Sequence, residues 1–212
     1  MTMTAPQWSR AGRVIAYTEP YRFREHLFTL RGSPPSVLSI ALGGPLPVLA
    51  PPEALLWCGQ DVAMGVAALS APGPLLSLLG TGEMTFRSPA FGQLVLLHLP
   101  PGAGLVVRWE RLVCLAGVSW MPGPSEATQG DWVRCSADDG PGLLALGVAR
   151  AAFELELGAD ESLVVAEECL LWASEDLPMR PWGPSASLFH CVGPGLIALD
   201  MAGMPVPAKG RG

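Results

Sequence analysis

Three stretches of the chain align without a gap, and the fold has to accommodate all three. Val37 to Cys58 reads VLSIALGGPLPVLAPPEALLWC, Leu94 to Leu115 reads LVLLHLPPGAGLVVRWERLVCL, and Ala152 to Ala173 reads AFELELGADESLVVAEECLLWA. The copies are offset by 57 and then 58 residues. Leu42, Leu99 and Leu157 coincide, as do Glu53, Glu110 and Glu168, then Leu55, Leu112 and Leu170. Aligned leucines alone carry little weight in a chain that is 50% apolar; the glutamate at a fixed place does.

Each copy parses as strand, turn, strand, acidic corner, strand. The opening run alternates with period two (Leu38, Ile40, Leu42; Val95, Leu97, Leu99; Phe153, Leu155, Leu157), which points one face of a strand to a core. Gly- or Pro-bearing turns follow at Gly43, Pro100 and Gly158. Gly (25) and Pro (22) are dispersed between apolar runs, the punctuation of many short strands, and leave few windows for a helix. The predicted class is all-β: antiparallel strands in three pseudo-repeats, approximately 27–74, 75–139 and 140–200, forming one compact unit. Residues 1 to about 12 read as a frayed lead-in, and 205–212 as a flexible tail. Tyr21 to Leu30 reads as extended structure ending at Gly32, and TGEMTFRSPAFGQ, an insertion ahead of the second copy, as an extended hairpin. Each copy is preceded by a short run ending in Gly. The closing GLIALD segment resembles those runs and is expected to pair back onto an earlier repeat.

In the second copy Leu96 and His98 occupy the positions that Glu154 and Glu156 hold in the third. A strand apolar on both sides must be covered on both sides, either by another repeat or by a second subunit. A homo-oligomer is the expectation.

GADESLVVAEECLLWASEDL in the third copy and LPPGAGLVVRWERLVCLAGVSW in the second resemble the mitochondrial-biogenesis family named for altered inheritance of mitochondria. The likeness runs from about Leu75 to Asp200 and more weakly back to Leu27. It implies a repeated all-β fold like that of the trp RNA-binding attenuation protein, a short variant of the double-stranded β-helix. The chain departs from the family pattern where a glycine usually opens the third strand, since Arg111 and Cys169 follow the glutamates. The resemblance carries over no catalytic residues.

Composition excludes several functions. With a net charge of −6 and 13 scattered Lys and Arg, the chain lacks the clustered basic face that nucleic acid requires. The uncharged runs Gly32–Pro52 and Val62–Gly82 are interrupted by Pro and Gly and read as buried strands, so no integral membrane segment is expected. Five cysteines (Cys58, Cys114, Cys135, Cys169, Cys191) without CxxC spacing or a signal peptide point to a reduced, cytoplasmic protein. They read as inert thiols, since no base can be identified beside any of them.

No residue set is assigned to a catalytic, cofactor-binding or metal site. His26, His98 and His190 lack the HxH spacing of cupin metal sites. Glu53, Glu110 and Glu168 could converge on an axis and hold a cation, but corner residues capping turn amides or facing water are the preferred reading. Trp57 and Trp172 hold equivalent repeat positions, which implies core or inter-repeat packing. Trp8, Trp120, Trp132 and Trp182 are placed in loops, where a partner could use them. These features describe a non-enzymatic interaction or scaffold protein. A cupin-like small-molecule- or metal-binding barrel and a peripheral membrane-associated protein are the alternatives.

Overall fold

In a computed structural model, residues 13–15, 20–32, 35–68, 73–88, 92–123, 132–150, 152–183 and 187–200 are described. The lead-in, the tail from 205 and Trp8 lie outside them. Three short strands come first: β1 (Arg13–Ile15), β2 (Tyr21–Phe23) and β3 (His26–Arg31). The first copy holds β4 (Val37–Ala50), β5 (Leu55–Cys58), β6 (Val62–Ala68) and β7 (Leu75–Arg87). The second holds β8 (Gln93–Leu99), β9 (Gly104–Arg108), β10 (Leu112–Ala116), β11 (Ser119–Pro122), β12 (Trp132–Ser136) and β13 (Gly142–Val148). The third holds β14 (Ala152–Leu157), β15 (Ser162–Ala166), β16 (Leu170–Ser174), β17 (Met179–Pro181), β18 (Leu188–Val192) and β19 (Gly195–Asp200). The fold is all-β, and every strand pairing is antiparallel.

The repeat is reproduced down to backbone angles. One turn of 3-10 helix stands at each acidic corner: Pro52–Ala54, Trp109–Arg111 and Glu167–Cys169. Each is entered from extended backbone (ψ 137°, 131° and 135°) and left through the aligned leucine, at φ −74°, −72° and −80°. The amide of that leucine donates back to the first carbonyl of the turn. A register shift follows in all three copies, between Leu55 and Trp57, Leu112 and Cys114, and Leu170 and Trp172. The bulge falls at the same place in each third strand and bends it as it leaves its corner.

Each third strand pairs with the run that comes after it in sequence: β5 with β7, β10 with β13, β16 with β19. That same run also pairs with the copy's first strand. The runs that precede copies two and three therefore close the copies before them, and hydrogen bonding groups the chain as 37–87, 93–148 and 152–200. The terminal GLIALD strand lies between β14 and β16 of the third copy, as β13 lies between β8 and β10. The expected hairpin within TGEMTFRSPAFGQ is replaced by the end of β7, a continuous strand of 13 residues. Tyr21 to Leu30 is extended as expected, in β2 and β3.

Copies join through one kind of seam. The third strand of one copy pairs with the second strand of the copy before it, as β10 does with β4 and β16 with β9. The registers correspond residue for residue: Leu115↔Leu49 and Ala116↔Val48 in the first seam, Ala173↔Val106 and Ser174↔Leu105 in the second. Among the described residues the strands make a ten-stranded sheet, a six-stranded sheet ordered β11-β12-β9-β16-β19-β14, and a three-stranded sheet ordered β15-β18-β17. Three apolar clusters fill the spaces between and within them.

The doubly apolar strand β8 is covered from both sides within the chain. Leu94 and Leu96 enter the cluster with Leu38 and Ile40 of the first copy, while Val95, Leu97 and Leu99 enter that of the second copy. Val106 likewise joins the third copy's cluster. These side chains need no second subunit to remove them from water.

Candidate functional site

The densest polar cluster lies where the second and third copies meet. Arg111, in the second copy's corner, donates from a terminal nitrogen to Asp200 Oδ2 at 2.6 Å. Its other terminal nitrogen donates to the Glu168 carbonyl in the third copy's corner at 2.9 Å. Asp200 also accepts from the Ala149 amide at 2.8 Å. Both side chains are almost wholly buried. Burial lowers the Arg111 pKa, against which the Asp200 hydrogen bond and charge act. Arg108 beside it donates to the Glu167 carbonyl at 3.1 Å and pairs with Glu110 at 2.9 Å.

A cleft of about 430 Å³ opens over this junction, lined by Arg108, Ala166, Glu167, Glu168, Ser187 and Leu188. A second, of about 390 Å³, lies on the same seam and includes the Arg134–Glu175 ion pair at 3.2 Å. In both, the guanidinium already faces a carboxylate or a carbonyl of the neighbouring copy. Such groups fasten two units together; they do not present an open anion site.

The corner glutamates do not form a ligand set. Glu53, Glu110 and Glu168 are all exposed, each on its own turn. None caps its turn, for the N-cap positions are Pro51, Arg108 and Ala166 and no side chain bonds the turn amides. Of the two corner roles foreseen, facing water holds. Among the described residues no group of three or more His, Cys, Asp and Glu side chains is placed to hold a metal ion.

The histidines are dispersed. His26 is fully buried; its Nε2 donates to the Leu46 carbonyl at 2.9 Å and its Nδ1 accepts from the Gly43 amide at 3.2 Å, a pattern that only the Nε2–H tautomer satisfies. It ties β3 to the Gly43–Gly44 stretch of β4, where a Cβ on Gly43 would run into the Glu25 carbonyl. Half-buried His98 meets Tyr21 and Phe23 edge-on, and His190 packs on Trp182 with ring centroids 4.9 Å apart.

Burial pushes the thiols of Cys114 and Cys135 up to about 12 and that of Cys191 to about 11. Cys169 is also raised, by burial and then by the Glu168 and Asp200 charges. A thiol held in the neutral form is a poor nucleophile.

The tryptophans divide differently from the expectation. Trp132 is a buried strand residue in β12, edge-on to Phe189, and Trp120 lies in β11; neither is in a loop. Trp182 is in a loop and half exposed. Trp172 is completely buried, as the repeat implies, but its equivalent Trp57 is 49% exposed. Sequence reasoning missed both the Arg111–Asp200 pair and this asymmetry. The first joins residues 89 apart, and the second depends on what lies beyond the end of the repeat array.

No family model matches the chain, and no curated protein matches it. In fold it is similar to a solved structure, that of protein SPYM3_0169 from Streptococcus pyogenes, with a TM-score of 0.67 and 13% identity over 82% of this chain and 93% of that one. The likeness is one of fold.

Proposed function

We propose that this protein acts by binding other protein surfaces, itself included, as a non-enzymatic interaction or scaffold unit that resembles the altered-inheritance-of-mitochondria family, with a fold like that of the trp RNA-binding attenuation protein. The observation that carries the reading is where its exposed apolar side chains lie. Leu56 and Trp57 on β5, and Met64 and Val66 on β6, are each 45% exposed or more, and the two strands follow one another end to end along one edge of β7. An exposed apolar strand edge on a chain of net charge −6 marks a contact surface. The polar clusters, by contrast, are spent on joining one copy to the next.

Two measurements test this. Metal analysis of the purified protein should find no stoichiometric transition metal; finding one would favour the cupin-like reading. Light scattering at micromolar concentration should give a multiple of 22.3 kDa. A monomer that instead floats with liposomes would assign this apolar edge to a membrane surface.

A further inference from the structure

The seam that joins the copies is used twice inside the chain and left open once at each end. Its rule is that a third strand pairs with the second strand of the preceding copy. Among the described residues, the third strand of the first copy, β5, has no such copy ahead of it and pairs only with β7. Among the described residues, the second strand of the third copy, β15, has no such copy after it and pairs only with β18. The two unused edges are complementary halves of the same contact.

Burial follows the seam. β10 and β16, which have a seam partner, are buried at every residue. β5 has its two central residues exposed, Leu56 at 45% and Trp57 at 49%. β9 is buried at its three central residues, whereas β15 exposes Val164 at 41%.

Charge follows it too. Edge strands are normally guarded by charges or proline against pairing with another chain. Here β2 carries Arg22, β14 carries Glu154 and Glu156, β11 ends at Pro122, and β17 carries Arg180 and Pro181. β5 and β15 carry neither. Uncharged β6 occupies the rim position of β11 and β17, which among the described residues has no outer partner in any of the three copies.

We propose that β15 of one molecule pairs antiparallel with β5 of a second copy of this chain, continuing the internal seam between molecules; this rests on the interaction reading above. The internal register, carried forward by the repeat offsets, sets Trp57 opposite Val165, Cys58 opposite Val164, and Gly59 opposite Leu163 of the partner molecule. The three-stranded sheet of β15, β18 and β17 then gains β5, β7 and β4 of the neighbour. It acquires the build of the six-stranded sheet, in which β9, β12 and β11 adjoin β16, β19 and β14. The contact is heterologous, head to tail, so it closes into a ring or extends as a filament.

The register supplies its own test, because one of the paired residues is already a cysteine. Directly opposed residues of antiparallel strands have Cα atoms about 4.5–5.5 Å apart, within disulfide reach. Mild oxidation of a Val164→Cys variant with copper phenanthroline should give covalent dimers and higher species on non-reducing gels, and Val164→Cys with Cys58→Ser should give none. As a second handle, Val164→Arg changes a surface residue and should lower the assembled mass to 22.3 kDa without loss of thermal stability in the monomer. An assembled protein that does not cross-link, and whose mass Val164→Arg leaves unchanged, would overturn the seam while leaving the interaction reading intact. A disulfide within one chain would overturn the second copy as the occupant.

Discussion

At the scale of single residues, the structure separates groups that look chemically promising from groups that hold the fold. The Arg111–Asp200 pair is the clearest case. Removing one partner of a buried ion pair leaves an uncompensated charge, which typically costs about 3–5 kcal/mol. Asp200→Asn should destabilise the protein on that scale in urea unfolding, and adding Arg111→Met should recover part of the loss. Neither partner could be foreseen, since nothing local to Arg111 or to Asp200 says that the two meet.

Glu154 gives a pH prediction. It lies half-buried on β14, and burial raises its pKa from 4.5 to about 7. The folded state thus holds this proton more tightly than the unfolded chain does. The stability it confers is fully present below about pH 4.5 and is lost as pH rises towards 7. Glu154→Gln should flatten stability against pH over that interval, measured by thermal unfolding across a buffer series, and should make the protein more stable than the parent at pH 8. The alternation that sets Glu154 opposite to Leu155 is legible in the sequence; how far Glu154 is covered is not, because a period-two pattern gives the side of a strand and not its depth.

At the scale of elements, the corner and its bulge were legible because their causes are local. Period-two alternation, Gly and Pro turns, and a glutamate at a fixed distance recur in sequence, and the backbone repeats with them. Strand partnership was not. LLSLLG and GLLALG alternate in the same way whichever copy they join, so their order in sequence suggested the following copy while the hydrogen bonds chose the preceding one. Trp57 and Trp172 make the same point, with like neighbours in sequence and opposite burial. In the Val164→Arg background, Trp172→Ala should cost about 3–5 kcal/mol, the range for emptying a core aromatic site. Trp57→Ala should fall within the roughly ±0.5 kcal/mol usual for surface positions. Comparable losses at the two sites in denaturant titrations would show that β5 is covered within its own chain.

At the scale of the whole molecule, the oligomer is proposed on different grounds from those that first raised it. The outer faces of β8 and β9 are covered inside the chain. Among the described residues, the seam edges of β5 and β15 are left without a partner strand. Two of the three copies lend a third strand to a predecessor, which leaves β5 to give and β15 to receive. No helix among the described residues is long and apolar enough to cross a membrane.

Amide hydrogen exchange tests this most directly, because it reads the hydrogen bonds of the seam themselves. Peptides covering Leu55–Gly59 and Leu163–Val165 should exchange slowly at high protein concentration, as the internal seam strands β10 and β16 do, and should lose that protection on dilution or in the Val164→Arg variant. Fast exchange in both peptides at every concentration, beside slow exchange in β10 and β16, would contradict the account.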